Sequence, residues 1–118
     1  MRRHPMRSIL IALLFLMSFA ASANSDEYDR GLEAANNYDF VAAAKIWTSV
    51  ALNGDARAQF NLGVLYEAGR GVEADLKKAR ELYELASRQG HPKAKYFLGG
   101  LYLAGQGLES DTLKGLKL

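Results

Sequence analysis

The chain has 118 residues, of which 15 are Lys or Arg and 13 are Asp or Glu, and it contains no cysteine. Three of the 15 basic residues and none of the 13 acidic residues lie in residues 1–23, so the rest of the chain has a net charge of −1 and does not indicate a nucleic-acid-binding surface. Without cysteine the chain forms no disulfide and no thiolate metal site, so its stability must come from packing.

Residues 1–23 are predicted to be a secretory signal peptide that is cleaved after Ala23. Arg2 and Arg3 begin it, residues 9–19 are almost wholly apolar, and small residues precede the cleavage point. The alternative is an uncleaved membrane anchor, but a membrane span needs roughly 20 apolar residues. We therefore expect an exported protein, periplasmic or secreted, with no nucleic-acid partner and no membrane contact beyond the export signal.

The remaining chain repeats itself at a spacing of 36 residues. The stretch "YEAGRGVEAD" at 66–75 returns as "YLAGQGLESD" at 102–111. The first unit fits only when four residues are left out, because it lacks the Gly-x-Gly. The predicted units are a degenerate helix pair at 24–54, a full repeat at 55–90 and an incomplete repeat at 91–118.

Each unit is predicted to form two helices. In the central unit Ala58, Leu62 and Tyr66 recur at helical spacing, and the second half of the unit shows the same pattern. Asp75 stands where the second helix needs an N-cap, and Gly90 stands where that helix ends. Two helices separated by capping residues are therefore expected in one unit.

Small and aromatic residues are expected to pack inside each pair. Gly63 and Ala79 would let the paired helices approach closely, whereas a large side chain would push them apart. Trp47 falls at the position of Tyr83 on a second helix, so we predict that it is a core residue.

The segment "AQFNLGVLYEAGRGVEADLKKARELYELASRQG" resembles the Sel-1-like repeat, a longer relative of the tetratricopeptide repeat. The resemblance implies an all-α fold, an α-solenoid of antiparallel helix pairs with about two and a half repeats, the third truncated. The first unit is closer to a plain tetratricopeptide repeat, and the third departs at Leu108 and Gly115. The repeat-defining positions are Ala58, Leu62, Gly63, Tyr66, Gly69, Gly71, Asp75, Ala79, Tyr83, Ala86, Gly90, Leu98, Gly99, Tyr102, Gly105, Gly107 and Asp111.

The doubled Gly-x-Gly raises the question of a phosphate-binding loop. Such a loop follows a strand and opens a helix, whereas Gly69 follows a predicted helix, and no Lys-Ser or Lys-Thr comes after it. We therefore predict a connector in which Gly69 ends the first helix of the unit.

The sequence predicts no enzyme, no metal site and no cofactor. His91 is the one histidine after the signal, and the acidic residues are spread as caps and surface pairs. The competing class is a cell-wall-acting enzyme or inhibitor that uses groove acids such as Glu67.

The favoured function is a non-catalytic protein–protein interaction module of the bacterial envelope or secreted fraction, which binds a peptide or partner protein in a concave groove. The resemblance implies that first-helix positions line this groove, with an aromatic row suited to peptide recognition. The alternative is that these rings pack between adjacent repeats. The predicted groove residues are Tyr28, Leu32, Arg57, Phe60, Val64, Glu67, Lys93, Tyr96 and Leu103.

The stretch "DTLKGLKL" at 111–118 begins a second helix without completing it. An apolar edge left uncovered there predicts self-association or a partner contact. The alternative is a structural fragment of a longer repeat protein.

Overall fold

The computed structural model describes residues 25–105, and these residues form five helices and no strand. The predicted signal peptide lies outside them, as do Gly107, Asp111 and the rest of the third unit after residue 105. The first helix, α1, covers residues 25–36. The later helices are α2 (Phe40–Leu52), α3 (Ala56–Ala68), α4 (Leu76–Arg88) and α5 (Pro92–Leu103).

A polar side chain fixes the beginning of each of the four later helices. Asp39 accepts a hydrogen bond of 3.1 Å from a backbone N–H three residues later, and Asp75 accepts one of 3.0 Å. Asp55 caps α3 in the same way, and His91 caps α5 through Nδ1. These side chains satisfy N–H groups that have no partner inside the helix, so each helix starts at its polar residue.

The helices pack in chain order as successive pairs. Helix α3 contacts both α2 and α4, and α4 contacts α5. Trp47 of α2 joins α1, since its indole N–H donates to the Tyr28 carbonyl at 3.2 Å. This arrangement confirms the predicted all-α solenoid of helix pairs.

The hydrophobic core consists of two clusters along the stack. Trp47 belongs to the first cluster and is 3% exposed, which confirms the prediction that it is a core residue. Tyr83 belongs to the second cluster and is 0% exposed. Tyr66 packs against both clusters, so its ring lies where the two clusters meet.

Two glycines allow the paired helices to approach closely enough for these rings to fit. A Cβ atom on Gly63 would lie 2.6 Å from Cε1 of Tyr83, and a Cβ atom on Gly31 would run into the Trp47 indole. Interiors are close-packed, so a side chain at either position would have to displace the ring. We call this arrangement, Trp47 on Gly31 and Tyr83 on Gly63, the aromatic–glycine contact.

The Gly-x-Gly loop of the second unit is a packed connector. Gly69 ends α3 in the left-handed conformation, with φ +68°. Gly71, with φ +71°, lies against the start of α2, where a Cβ atom would run into the Phe40 carbonyl. The Arg70 guanidinium lies 5.4 Å from the centroid of the Phe40 ring. The loop therefore packs the second unit onto the first. It also ends α3, as the sequence predicts.

Gly63→Ala is expected to lower the free energy of unfolding by about 1–3 kcal/mol, because the added methyl group overpacks the contact with Tyr83. Gly99 has the same position in the third unit, and a Cβ placed there meets no atom of residues 25–105 within 4 Å apart from its chain neighbours and the backbone of its own helix. Gly99→Ala is the matched control and should stabilise the chain by up to about 1 kcal/mol, since Ala is the better helix former. Urea unfolding measures both changes, and equal effects would contradict the aromatic–glycine contact.

Candidate partner-binding groove

Tyr28 of α1 is held by three neighbours at the start of the predicted groove. Its ring stacks on Trp47 with the centroids 6.1 Å apart, and the Arg57 guanidinium lies 4.1 Å from the Tyr28 centroid. The side-chain amide of Asn61 donates a hydrogen bond of 3.0 Å to the Tyr28 hydroxyl. This half-buried tyrosine therefore joins the first two units and offers only part of its surface to a partner.

Asp55 fixes the position of Arg57 as well as capping α3. The Arg57 Nη2 atom lies 2.7 Å from Asp55 Oδ2, and Nε donates to Oδ1 at 3.1 Å. Burial raises the pKa of the Asp55 carboxyl, but hydrogen bonds from Arg57 and from the Ala58 N–H outweigh this, and the pKa lies below its ordinary value. The ion pair therefore holds the guanidinium over Tyr28 and presents little net charge to a partner.

Phe60 does not lie in an open groove, so the predicted aromatic row is wrong at its middle position. Phe60 is 8% exposed, and its ring stacks on His91 with the centroids 4.7 Å apart. Phe97 meets the same ring edge-to-face at 5.1 Å, and the Tyr83 centroid lies 5.7 Å away. The central unit has a neighbour on each side, so its first-helix aromatic residue becomes a contact between repeats.

The second and third units leave an open cleft of about 270 Å³ between α3 and α5. Two predicted groove residues, Glu67 and Tyr96, line this cleft together with Phe97, Gly100 and Leu101. Tyr96 is 80% exposed, and its ring lies edge-to-face on Phe97 with the centroids 6.1 Å apart. An exposed ring beside a carboxylate can pack an apolar group and accept a hydrogen bond from the same partner.

Glu67 supports the core as well as lining the cleft. Its Oε1 atom accepts a hydrogen bond of 2.9 Å from the Tyr83 hydroxyl. Burial raises the pKa of Tyr83, and the hydrogen bond to Glu67 raises it further, so the hydroxyl stays protonated and donates. A partner in the cleft would therefore meet a carboxylate whose orientation is already fixed.

The other predicted groove residues do not meet in one site. Leu32 and Val64 are half-buried and pack against the two hydrophobic clusters. Lys93 is exposed. Leu103 is 64% exposed and lines a different pocket, which Tyr96 also borders. The predicted groove residues are therefore divided among the Tyr28 contacts at the first junction, the cleft at the second junction and the pocket that Leu103 lines.

Sequence reasoning missed Asn61 and Phe97, which have the same position in successive units. Each contacts the first-helix aromatic residue of the preceding unit: Asn61 bonds the Tyr28 hydroxyl, and Phe97 packs on Phe60. The chemistry matches at both junctions, since an amide meets a hydroxyl and a ring meets a ring. These two residues could have been found by comparing the chemistry of residues 36 positions apart, and not only their identity.

His91, the histidine of the described residues, has a structural role. Its Nδ1 accepts a hydrogen bond of 3.2 Å from the Ala94 N–H, and its ring stacks on Phe60. Within residues 25–105 no three His, Asp or Glu side chains are grouped as metal ligands. No helix in that part of the chain combines the length and the hydropathy of a membrane span.

Stacked helix pairs with a Gly-x-Gly connector define an α-solenoid repeat protein. The family described as "Sel1 repeat" matches residues 56–91 and 92–118. The chain belongs to this family, whose repeats act as protein-interaction modules.

Two solved structures share the fold. The crystal structure of c5321, described as a protective antigen of uropathogenic Escherichia coli strains with an SLR fold, has a TM-score of 0.71 and 30% identity. The match covers 75% of this chain and 20% of that one. A Sel1 repeat protein from Oxalobacter formigenes has a TM-score of 0.61 and 32% identity, over 66% of this chain and 22% of its own.

Two curated relatives come from Arabidopsis thaliana. The ERAD-associated E3 ubiquitin-protein ligase component HRD3B is 39% identical over 59 residues, which are 50% of this chain and 9% of that protein. The component HRD3A is 39% identical over 57 residues, which are 48% of this chain and 8% of that protein. The matched part of this chain therefore spans less than a tenth of the length of these relatives.

Phe60→Ala is expected to lower the free energy of unfolding by about 3–5 kcal/mol, because it removes a buried ring with several aromatic neighbours. Tyr96→Ala, at the same position of the next unit, is the matched control. It should change stability by no more than about 0.5 kcal/mol, because the Tyr96 ring is 80% exposed. Denaturant unfolding followed by circular dichroism measures both, and a large loss in Tyr96→Ala would place that ring in the core and remove it from the groove.

Proposed function

We propose that this chain is a non-catalytic interaction module, exported to the bacterial envelope or secreted, which binds a peptide or partner protein along its first helices. The observation that carries the proposal is the exposed Tyr96 ring at a cleft that also contains the fixed Glu67 carboxylate. Exposed aromatic residues at the centre of a concave surface are typical binding hot spots.

The cleft indicates which kind of segment it binds. Gly100 has no side chain, so a partner backbone can approach α5 beside Tyr96. An apolar side chain of the partner would pack on the Tyr96 ring, and a backbone or basic N–H would donate to Glu67. At the other junction the guanidinium of Arg57 is paired with Asp55, so little charge is available there for an acidic partner.

Export is supported by the sequence of residues 1–23. When the full chain is produced in a bacterial host, the mature protein is expected to begin at Asn24, because the small residues before that position suit signal peptidase. Mass spectrometry of the N-terminus measures this. Ala23→Tyr is the control and should keep the signal attached. Unprocessed wild-type chain in the membrane fraction would support the anchor alternative and contradict the proposal.

Partner binding is tested by placing a photo-crosslinking phenylalanine analogue at residue 96 of the full chain in the producing cell. We expect a discrete crosslinked product from position 96 and none from position 38. Tyr38 is the matched control, because it is 83% exposed but does not line the cleft.

A second variant tests the acid of the cleft. Glu67→Gln keeps an oxygen acceptor for Tyr83 but removes the charge, so it should reduce crosslinking from position 96 without lowering stability much. Equal crosslinking from positions 38 and 96 would contradict the proposed groove.

A further inference from the structure

Glu67 gives the cleft between α3 and α5 its charge. Among the described residues that line this cleft, Glu67 is the one with a charged side chain. Its Oε1 atom accepts the hydrogen bond of the Tyr83 hydroxyl. A carboxylate offers about four lone-pair sites, so Glu67 can accept further hydrogen bonds from a ligand. The charge and these free sites favour a cationic group that donates N–H bonds.

The Tyr96 ring forms an aromatic wall of the same cleft. It is 80% exposed, and its plane makes an angle of 62° with the plane of the Phe97 ring. The two rings are therefore not stacked face to face, and the Tyr96 ring keeps a face open to a ligand. Because the face of an aromatic ring is electron-rich, it attracts cations.

Gly100 leaves room for a long side chain beside this ring. It follows Tyr96 by one helical turn, and Leu32 and Val64 have its position in the two preceding units. A Cβ placed on Gly100 meets no atom of residues 25–105 within 4 Å apart from its chain neighbours and the backbone of its own helix. The cleft is therefore open where the other units have a branched apolar side chain.

The first junction shows how this chain binds a cation to the same register position. Tyr28 corresponds to Tyr96, and the Arg57 guanidinium lies 4.1 Å from the centroid of its ring. The Asp55 carboxylate holds that guanidinium through two contacts, of 2.7 Å and 3.1 Å. An aromatic ring, a guanidinium and a carboxylate thus form one group inside the protein. The cleft presents the ring and the carboxylate of such a group.

We infer that the cleft binds an arginine side chain of the partner segment, with the guanidinium on the Tyr96 ring and its N–H groups donating to Glu67. A guanidinium is flat, so it can stack on a ring and donate to a carboxylate at the same time. A lysine ammonium has the charge but not the flat shape. The aliphatic stem of the arginine would lie over Gly100 and cover the apolar floor of the cleft.

This inference rests on the proposed function, because the arginine belongs to the segment that the module binds. It adds the chemical identity of the residue that selects a partner. Segments that carry an arginine on their exposed surface should bind, and segments that present only apolar or acidic side chains should not.

The test uses a capped pentapeptide with one arginine between alanines, titrated into the 15N-labelled full chain and followed by NMR. We expect saturable shifts of the backbone amides of Gly100 and Leu101, which line the cleft. Citrulline has the shape of arginine without the charge, and a peptide that carries it should bind about tenfold more weakly. A lysine peptide should bind about threefold more weakly, because it cannot stack on the ring.

Two variants of the protein assign each part of this preference to one residue. Glu67→Gln should make the arginine and citrulline peptides bind about equally, because the charge that distinguishes them is gone. Tyr96→Leu keeps an apolar wall and should make the arginine and lysine peptides bind about equally. A variant that had only disturbed the fold would weaken all the peptides alike, and circular dichroism checks that the helices are kept.

Three results would overturn the inference. These are the absence of saturable binding by the arginine peptide, equal binding of the arginine and citrulline peptides to the unchanged protein, and an arginine preference that Glu67→Gln leaves intact. The proposed function fails separately. Arginine binding without a crosslinked product from position 96 would contradict that function alone, whereas a crosslinked product without any arginine preference would contradict this inference alone.

Discussion

An aromatic ring that packs on a glycine holds together each of the two helix pairs that residues 25–88 form, and the rest of the described structure depends on this contact. Trp47 lies on Gly31, and Tyr83 lies on Gly63. Because glycine has no side chain, the helices come close enough to remove the Tyr83 ring from water completely. Each ring also donates a hydrogen bond to the first helix, and Glu67 is one of the acceptors. A single contact thus sets the spacing of a pair, buries its largest side chain and orients a residue of the cleft.

Stacking of the pairs gives one register position three different environments. Tyr28 lies in the first unit and is half-buried, because the second unit reaches it from one side. Phe60 lies in the central unit and is covered by the third unit through Phe97. Tyr96 is 80% exposed among the described residues. The exposure of this aromatic position therefore depends on the place of its unit in the stack, although the residue type is similar each time.

The helices and their ends were predictable from the sequence, because capping depends on residues only a few positions apart. The exposure of the first-helix aromatic residues was not predictable, because Phe60 is buried by Phe97, which lies 37 positions later in the chain. The packing of Gly71 on Phe40 could not be predicted from the sequence either, because it joins the loop of one unit to a helix of another. The residue types did carry a cue. Phe60 has no hydroxyl that burial would leave unsatisfied, whereas Tyr28 requires the partner that Asn61 provides.

Glu67 links the cleft to the core, because its carboxylate lines the cleft and accepts the hydrogen bond of the Tyr83 hydroxyl through Oε1. This hydrogen bond helps to keep the Tyr83 ring on Gly63. A partner that donates a hydrogen bond to the other carboxylate oxygen would leave the Tyr83 bond in place. Because such a partner binds only the folded arrangement, its binding would also stabilise the packing of α4 on α3.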